Sequence, residues 1–201
     1  DDNKYIQAFF DWWPELKKDL SVVRFTGGEP LLHPRFWEFL DVLHKDQDYI
    51  GDFIVNSNLI HEKGQVQKFV DKTRYLTENG KNVEIHTSCE SSLEHAEYTR
   101  DGFDGKVWLK NVNDVLANSD IKITVTTAIN NMSVWSFGEY LKMISQLKDK
   151  YGTDRVTTNF NRVLYPQWHS LAILPQKLRI EIANWIRTFI HNPKFKKFNL
   201  E

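Results

Sequence analysis

The sequence predicts an α/β fold built on a parallel sheet, and three observations carry that expectation. Apolar, β-branched stretches begin near residues 22, 52, 83, 121 and 155, about 30 to 38 residues apart, the interval expected of repeated βα units. A stretch with helical periodicity fills every gap between them. Each apolar stretch also ends in small or polar residues: Thr26-Gly27-Gly28-Glu29, Asn56-Ser57-Asn58, Ser88-Cys89-Glu90, Asn130-Asn131 and Asn161-Arg162. In parallel α/β folds those ends gather on one face, where ligands bind. Periodicity does not separate a barrel from an open doubly wound sheet.

Taken in order, residues 5–20 place Ile6, Phe9, Phe10, Trp13 and Leu16 three and four apart, the pattern of an amphipathic helix that Pro14 should kink or stop near Trp13. A strand from Val22 to Thr26 follows. Pro34 then opens a helix from Arg35 to about Lys45 that buries Phe36, Phe39, Leu40 and Leu43. The second strand, from Asp52, ends in Asn56-Ser57-Asn58, and its helix carries Val66, Phe69, Val70, Tyr75 and Leu76 before Gly80 closes it. Val83 to Ser88 is the third strand. Residues 91–106 read as a long polar connection, leading to a helix with Val107, Leu109, Val112, Val115 and Leu116. Ile121 to Ala128 is the most β-branched stretch and the fourth strand. Phe137 to Tyr151 is a helix, Arg155 to Val163 a fifth strand, and Pro175 opens a last helix through Phe189. The tail from His191 is basic and loosely patterned. Trp12, Trp13, Trp37, Trp108 and Trp185 fall on helical stripes and are expected in the core.

Composition excludes several classes of function. The 201 residues, 41% hydrophobic and 26% charged, suit one domain with a sizeable core, here residues 1–201. No stretch approaches the roughly 18 apolar residues of a membrane span, and the start lacks a signal-peptide pattern, so a cytoplasmic location is expected. The formal charge is −1 and no basic block exceeds Lys196-Lys197, so no clear nucleic-acid surface is advertised. The one cysteine, Cys89, excludes an intramolecular disulfide or a thiolate cluster built from this chain alone. Cys89 reads as a packed small residue, and the seven histidines show no metal-ligand spacing.

The stretch Val22 to Pro34, VVRFTGGEPLLHP, is the most informative. Gly27-Gly28 lets the chain turn sharply and lets a ligand approach main-chain groups that a Cβ would shield. Glu29, fixed by Pro30, is an acceptor only and suits a cationic amine or a hydroxyl. Spacing alone favours an ordinary strand-to-helix turn with a solvated Glu29, and His33 is part of that turn.

The string Thr26 to Pro34 with its aromatic helix resembles the radical S-adenosylmethionine (SAM) enzymes. The resemblance implies a six-stranded open (β/α)6 TIM-like barrel of which this chain supplies strands two to six, with the first strand absent. It implies SAM and a 4Fe-4S cluster as cofactors, an external electron donor, and a small-molecule, nucleoside or peptide substrate. Gly27, Gly28, Glu29 and Pro30 match the motif that grips the methionine amine of SAM. Ser88 resembles the position that bonds the ribose or methionine carboxylate, and Asn58 and Asn130 stand where further polar SAM contacts are placed. Arg100 resembles an arginine that follows the fourth barrel strand, and reads equally as a surface ion pair with Asp101 or Asp104. The family's C-x3-C-x2-C cluster motif is missing. Only 26 residues precede Gly27 and the first is Asp, so cluster loop and first strand are expected upstream, and a twitch or SPASM segment would follow Glu201. Two competing readings remain. One is a SAM-binding or structural module without a cluster; the other is a sugar- or nucleotide-binding protein, which should carry a glycine-rich phosphate loop that this sequence lacks.

Overall fold

A computed structural model describes residues 3–61, 63–196 and 198. Five strands, β1 (Val22–Phe25), β2 (Asp52–Asn56), β3 (Val83–Ser88), β4 (Lys122–Ile129) and β5 (Val156–Arg162), form one sheet. All four pairings are parallel and the order is β1-β2-β3-β4-β5. The helices are α1 (Lys4–Asp19), α2 (Pro34–Asp46), α3 (Lys63–Glu78), α4 (Leu93–Thr99), α5 (Gly105–Asn118), α6 (Phe137–Tyr151), α7 (Gln176–Ile190) and α8 (Pro193–Lys196).

Strand order decides what periodicity left open. A doubly wound sheet reverses its order at a switch point, whereas here every crossover moves the chain one strand in the same direction. Right-handed crossovers of that kind put all the helices on one face, and the sheet curls as part of an open TIM-like barrel. Burial alternates accordingly. Phe25, Val55, Ile85, Ile123 and Val156 form one cross-strand row against the helices, and between them Arg24, Asn56, His86, Thr124 and Thr157 point to the inner face.

Aromatic packing fixes the first unit. Phe39 of α2 is buried and touches Phe9 and Trp13 of α1 and Phe25 of β1, at ring distances of 5.6, 4.7 and 5.0 Å. This cluster sits directly beneath the turn that follows β1. Among the described residues no helix is long and apolar enough to cross a membrane.

Several expectations need correction. Helix α1 continues through Pro14 to Asp19; Pro14 lies on the exposed side, where water can serve the carbonyl it leaves without an N–H. Residues 91–106 are not a plain connection, because they include α4, which buries Ala96 alone and so lacks an apolar stripe. Trp12 is 60% exposed, since it lies off the side of α1 on which Phe9, Trp13 and Leu16 meet the core. Trp185 is 44% exposed and lies against Gly138, where a Cβ would meet its ring at 2.5 Å. Thr26 lies just beyond β1, and β4 runs one residue further than expected, to Ile129.

Phe39→Ala is expected to destabilise the protein by about 3 to 5 kcal/mol, the range for truncating a buried aromatic ring. Urea unfolding monitored by circular dichroism measures it, and a loss under about 1 kcal/mol would mean that this cluster does not hold α1 and α2 to β1.

Candidate functional site

Strand β1 ends at Phe25, and the chain then turns through two left-handed residues, Gly27 at φ +86° and Gly28 at φ +53°. A Cβ placed on either would meet no atom within 4 Å, so both face open space. Neither glycine's N–H nor its C=O has a hydrogen-bond partner among the described residues. Exposed, unpaired main-chain donors and acceptors beside open space form a ready polar cradle. Next to it a cleft of about 420 Å³ is lined by Phe9, Phe10, Phe25, Phe36 and the glycine turn.

Glu29 locks this turn to the next strand. Its Oε1 accepts from the Leu31 N–H at 3.3 Å, capping the short 3-10 turn Pro30–Leu32, which Trp37 Nε1 also pins through the Leu31 carbonyl at 2.8 Å. Its Oε2 accepts from the Asn58 N–H at 2.7 Å. His61 Nε2 lies 3.1 Å from Oε1, and the two side chains are 2% and 12% exposed. Burial alone would raise the carboxyl's pKa, but the hydrogen bonds from His61, the Asn58 N–H and Ser57 outweigh it, helped by attraction to His61, and hold it below the usual carboxylate value.

The loop that supplies these donors is itself strained and braced. Leu59 is buried at φ +55°, a costly conformation for a branched side chain. Its N–H donates to Ser57 Oγ at 3.1 Å, and Asn111 of α5 donates to the Leu59 and His61 carbonyls at 2.9 and 3.0 Å.

The remaining predicted residues fall in two groups. Asn58 joins Glu29 directly, though its Oδ1 accepts from the Ile60 N–H at 2.9 Å. Ser88 ends β3 and its hydroxyl has no protein partner among the described residues. Asn130, by contrast, spends its side chain locally: Oδ1 accepts from the Met132 and Ser133 N–H groups at 2.8 and 2.9 Å, and Nδ2 donates to the Ala128 carbonyl. Arg100 pairs with neither Asp101 nor Asp104. It reaches back to the end of β3, donating to Glu90 Oε1 at 3.1 Å and the Ser88 carbonyl at 3.4 Å, while Asp104 caps α5. Burial raises the Glu90 carboxyl against the pull of Arg100.

Sequence reasoning missed Ser57, His61 and Asn111. The only trace is a histidine four residues after Ser57, a spacing with no meaning until the loop folds back.

The chain's own residues do not fit a 4Fe-4S cluster. Among the described residues no group of three His, Cys, Asp or Glu side chains could hold a metal. Cys89 is buried, and burial pushes its thiol up to about 12.

Because the Glu29 pKa is depressed below its unfolded value near 4.5, its stabilisation is present above that value and is lost as pH falls through the folded one. Glu29→Gln is expected to cost about 1 to 2 kcal/mol at pH 7, at the low end for charge-assisted bonds because the group is partly open to water. That gap should close as pH falls below 4.5 and through the lowered folded value. Urea titrations of both forms between about pH 3 and pH 7 measure it, and a gap constant across the range would show that the carboxylate is not held as an anion.

No family model matches the sequence, and no curated protein is significantly similar to it. Solved structures do match. A domain of pyruvate-formate lyase-activating enzyme from Bacteroides vulgatus is similar, with TM-score 0.54 and 15% identity over 83% of this chain and 93% of that one. SuiB from Streptococcus suis, solved bound to S-adenosylmethionine and in a second structure, gives TM-score 0.58 and 12% identity over 92% of this chain and 40% of SuiB. This chain therefore spans about two fifths of SuiB. At these identities the likeness is one of fold.

Proposed function

We propose that this chain is the core of a radical SAM enzyme and binds the methionine end of SAM at the glycine turn. One observation carries the reading: Gly27 and Gly28 face open space with every main-chain donor and acceptor unpaired. The fold neighbours, radical SAM enzymes of which one was solved with SAM bound, support it. So does the TGGEP string, which the fold sets at the end of a sheet strand.

The geometry refines the role of Glu29. Its oxygens already serve three donors of this protein, so the ammonium of SAM is assigned to the Gly27 and Gly28 carbonyls and Glu29 to holding them in place. Ser88, with its free hydroxyl, and Arg100, with donors left beyond its Glu90 contact, are assigned to the methionine carboxylate or the ribose. Asn58 contributes its main chain to the turn, and Asn130 braces its own loop.

In that family SAM, bound beside a reduced 4Fe-4S cluster, supplies a 5′-deoxyadenosyl radical. The residues described here orient and shelter. The reading requires three cluster cysteines outside these 201 residues, an external electron donor, and a substrate that is a peptide or a small molecule. A SAM-binding module without a cluster would share the turn and differ in those cysteines, so the iron content of the full-length protein separates the two.

Gly28→Asn tests the turn with less backbone strain than other side chains would bring, because asparagine tolerates the left-handed region best and its Cβ would meet no atom within 4 Å. SAM titration of the full-length variant is expected to show affinity weakened by about tenfold or more with the melting temperature nearly unchanged. A folded variant with wild-type affinity would return Gly27-Gly28 to an ordinary turn.

A further inference from the structure

The inner face of the sheet carries a hydrogen-bonded polar band that the glycine-turn site does not use. Arg24 Nη2 donates to Asn56 Oδ1 at 3.2 Å and lies 3.4 Å from His86 Nδ1. His86 Nε2 is 3.1 Å from Glu84 Oε1, Glu84 also accepts from the Thr124 hydroxyl, and Thr124 meets Thr157. Every strand contributes to the band. The interiors of closed α/β barrels are filled with branched apolar side chains, which makes a charged inner face a departure with a cost unless a polar molecule or water occupies it.

The charges along the band are unequally satisfied. The His86 hydrogen bond, against the cost of burial and aided by Thr124, holds the Glu84 carboxyl below its usual range, so the anion is served from within the band. The cation is not. Arg24 is exposed, no carboxylate lies within ion-pair reach of it among the described residues, and its Nη1 and Nε have no partner there. Arg35, Arg74 and Arg100 each pair with a carboxylate, and Arg155 donates to the carbonyls of Leu116, Ser119 and Ile121. Arg24 stands two residues before Thr26, so its Cα is about 7 Å further down the inner face than Thr26, which leads into the glycine turn.

We propose that Arg24 anchors an oxyanion, a carboxylate or phosphate group, of the molecule that enters this inner face. A guanidinium with open donors and no counter-charge among the described residues selects such a group over a neutral acceptor. The proposal rests on the SAM reading only for what then happens to that molecule: its substrate is an organic anion whose charged group lies several ångströms below the reacting end. Binding at Arg24 competes with the long contact to His86, so the His86 ring reports occupancy.

The test is an NMR titration of the full-length protein with sodium acetate and, separately, inorganic phosphate at constant ionic strength, following the Arg24 Nε–H and the His86 imidazole. At least one of the two anions is expected to shift both signals saturably. In Arg24→Gln the His86 response should weaken about tenfold or more, with Arg24→Lys intermediate, while SAM affinity stays within about twofold of wild type. Should Arg24→Gln not fold, Arg24→Lys alone decides: a His86 response weakened by less than about tenfold but measurably below wild type supports the site, and an unchanged response overturns it. Linear, non-saturating shifts with both anions, or equal His86 saturation without Arg24, would overturn the anion site whatever the SAM result. Saturable binding at Arg24 in a protein that fails to bind SAM would leave the anion site standing and remove the proposed function.

Discussion

The Glu29 carboxylate leaves the end of β1 but finds two of its donors beyond the end of β2, in the Asn58 N–H and His61, so the shape of the glycine turn depends on a contact between two loops. A buried carboxylate without donors would cost several kcal/mol, and here the donors are supplied by a loop that would not hold its own conformation unaided. Leu59 sits in the left-handed region at a cost of about 1 to 3 kcal/mol. Asn111 offsets that strain through two carbonyls and brings α5 into the support of a turn that lies some 80 residues earlier in the chain. The shape of the turn is therefore set by tertiary contacts, and its glycines face open space.

The two faces of the sheet divide the work. Parallel strands covered on both faces read as continuous apolar runs, whereas β3, Val-Glu-Ile-His-Thr-Ser, alternates, with Val83, Ile85 and Thr87 buried and Glu84, His86 and Ser88 partly open. One face carries the core against the helices, anchored at β1 by the Phe25 and Phe39 rings. The other is free to be polar. That freedom places Arg24 and His86 on the same inner surface as Ser88, which ends β3 one step higher.

The parts of this arrangement that were legible in the sequence are those written in local pattern. Strand starts, the turn at Gly27-Gly28, the helix opening at Pro34 and the stop at Gly80, which is left-handed at φ +71°, all follow from composition within a few residues. Pro14 misled because its rule concerns an N–H whose loss matters little on an exposed helix face. The short helix Leu93–Thr99 was invisible for want of an apolar stripe. Long-range partners were not legible either. Glu29 reads as a free acceptor until the fold brings Asn58 and His61 to it, and Arg100 reads as a neighbour of Asp101 until a helix turns it back to Glu90. The polar inner band needs strand register, which sets Asn56, His86, Thr124 and Thr157 side by side.

The central claim is that the main chain at Gly27 and Gly28 receives SAM. The most direct measurement is the backbone amide spectrum of the full-length protein during a SAM titration, read residue by residue. The account expects the Gly27 and Gly28 amides to move most, with Glu29 and Ser88 following, because an ammonium bonded to the glycine carbonyls changes the field at the turn. Saturable SAM binding that leaves the Gly27 and Gly28 amides unmoved would contradict it.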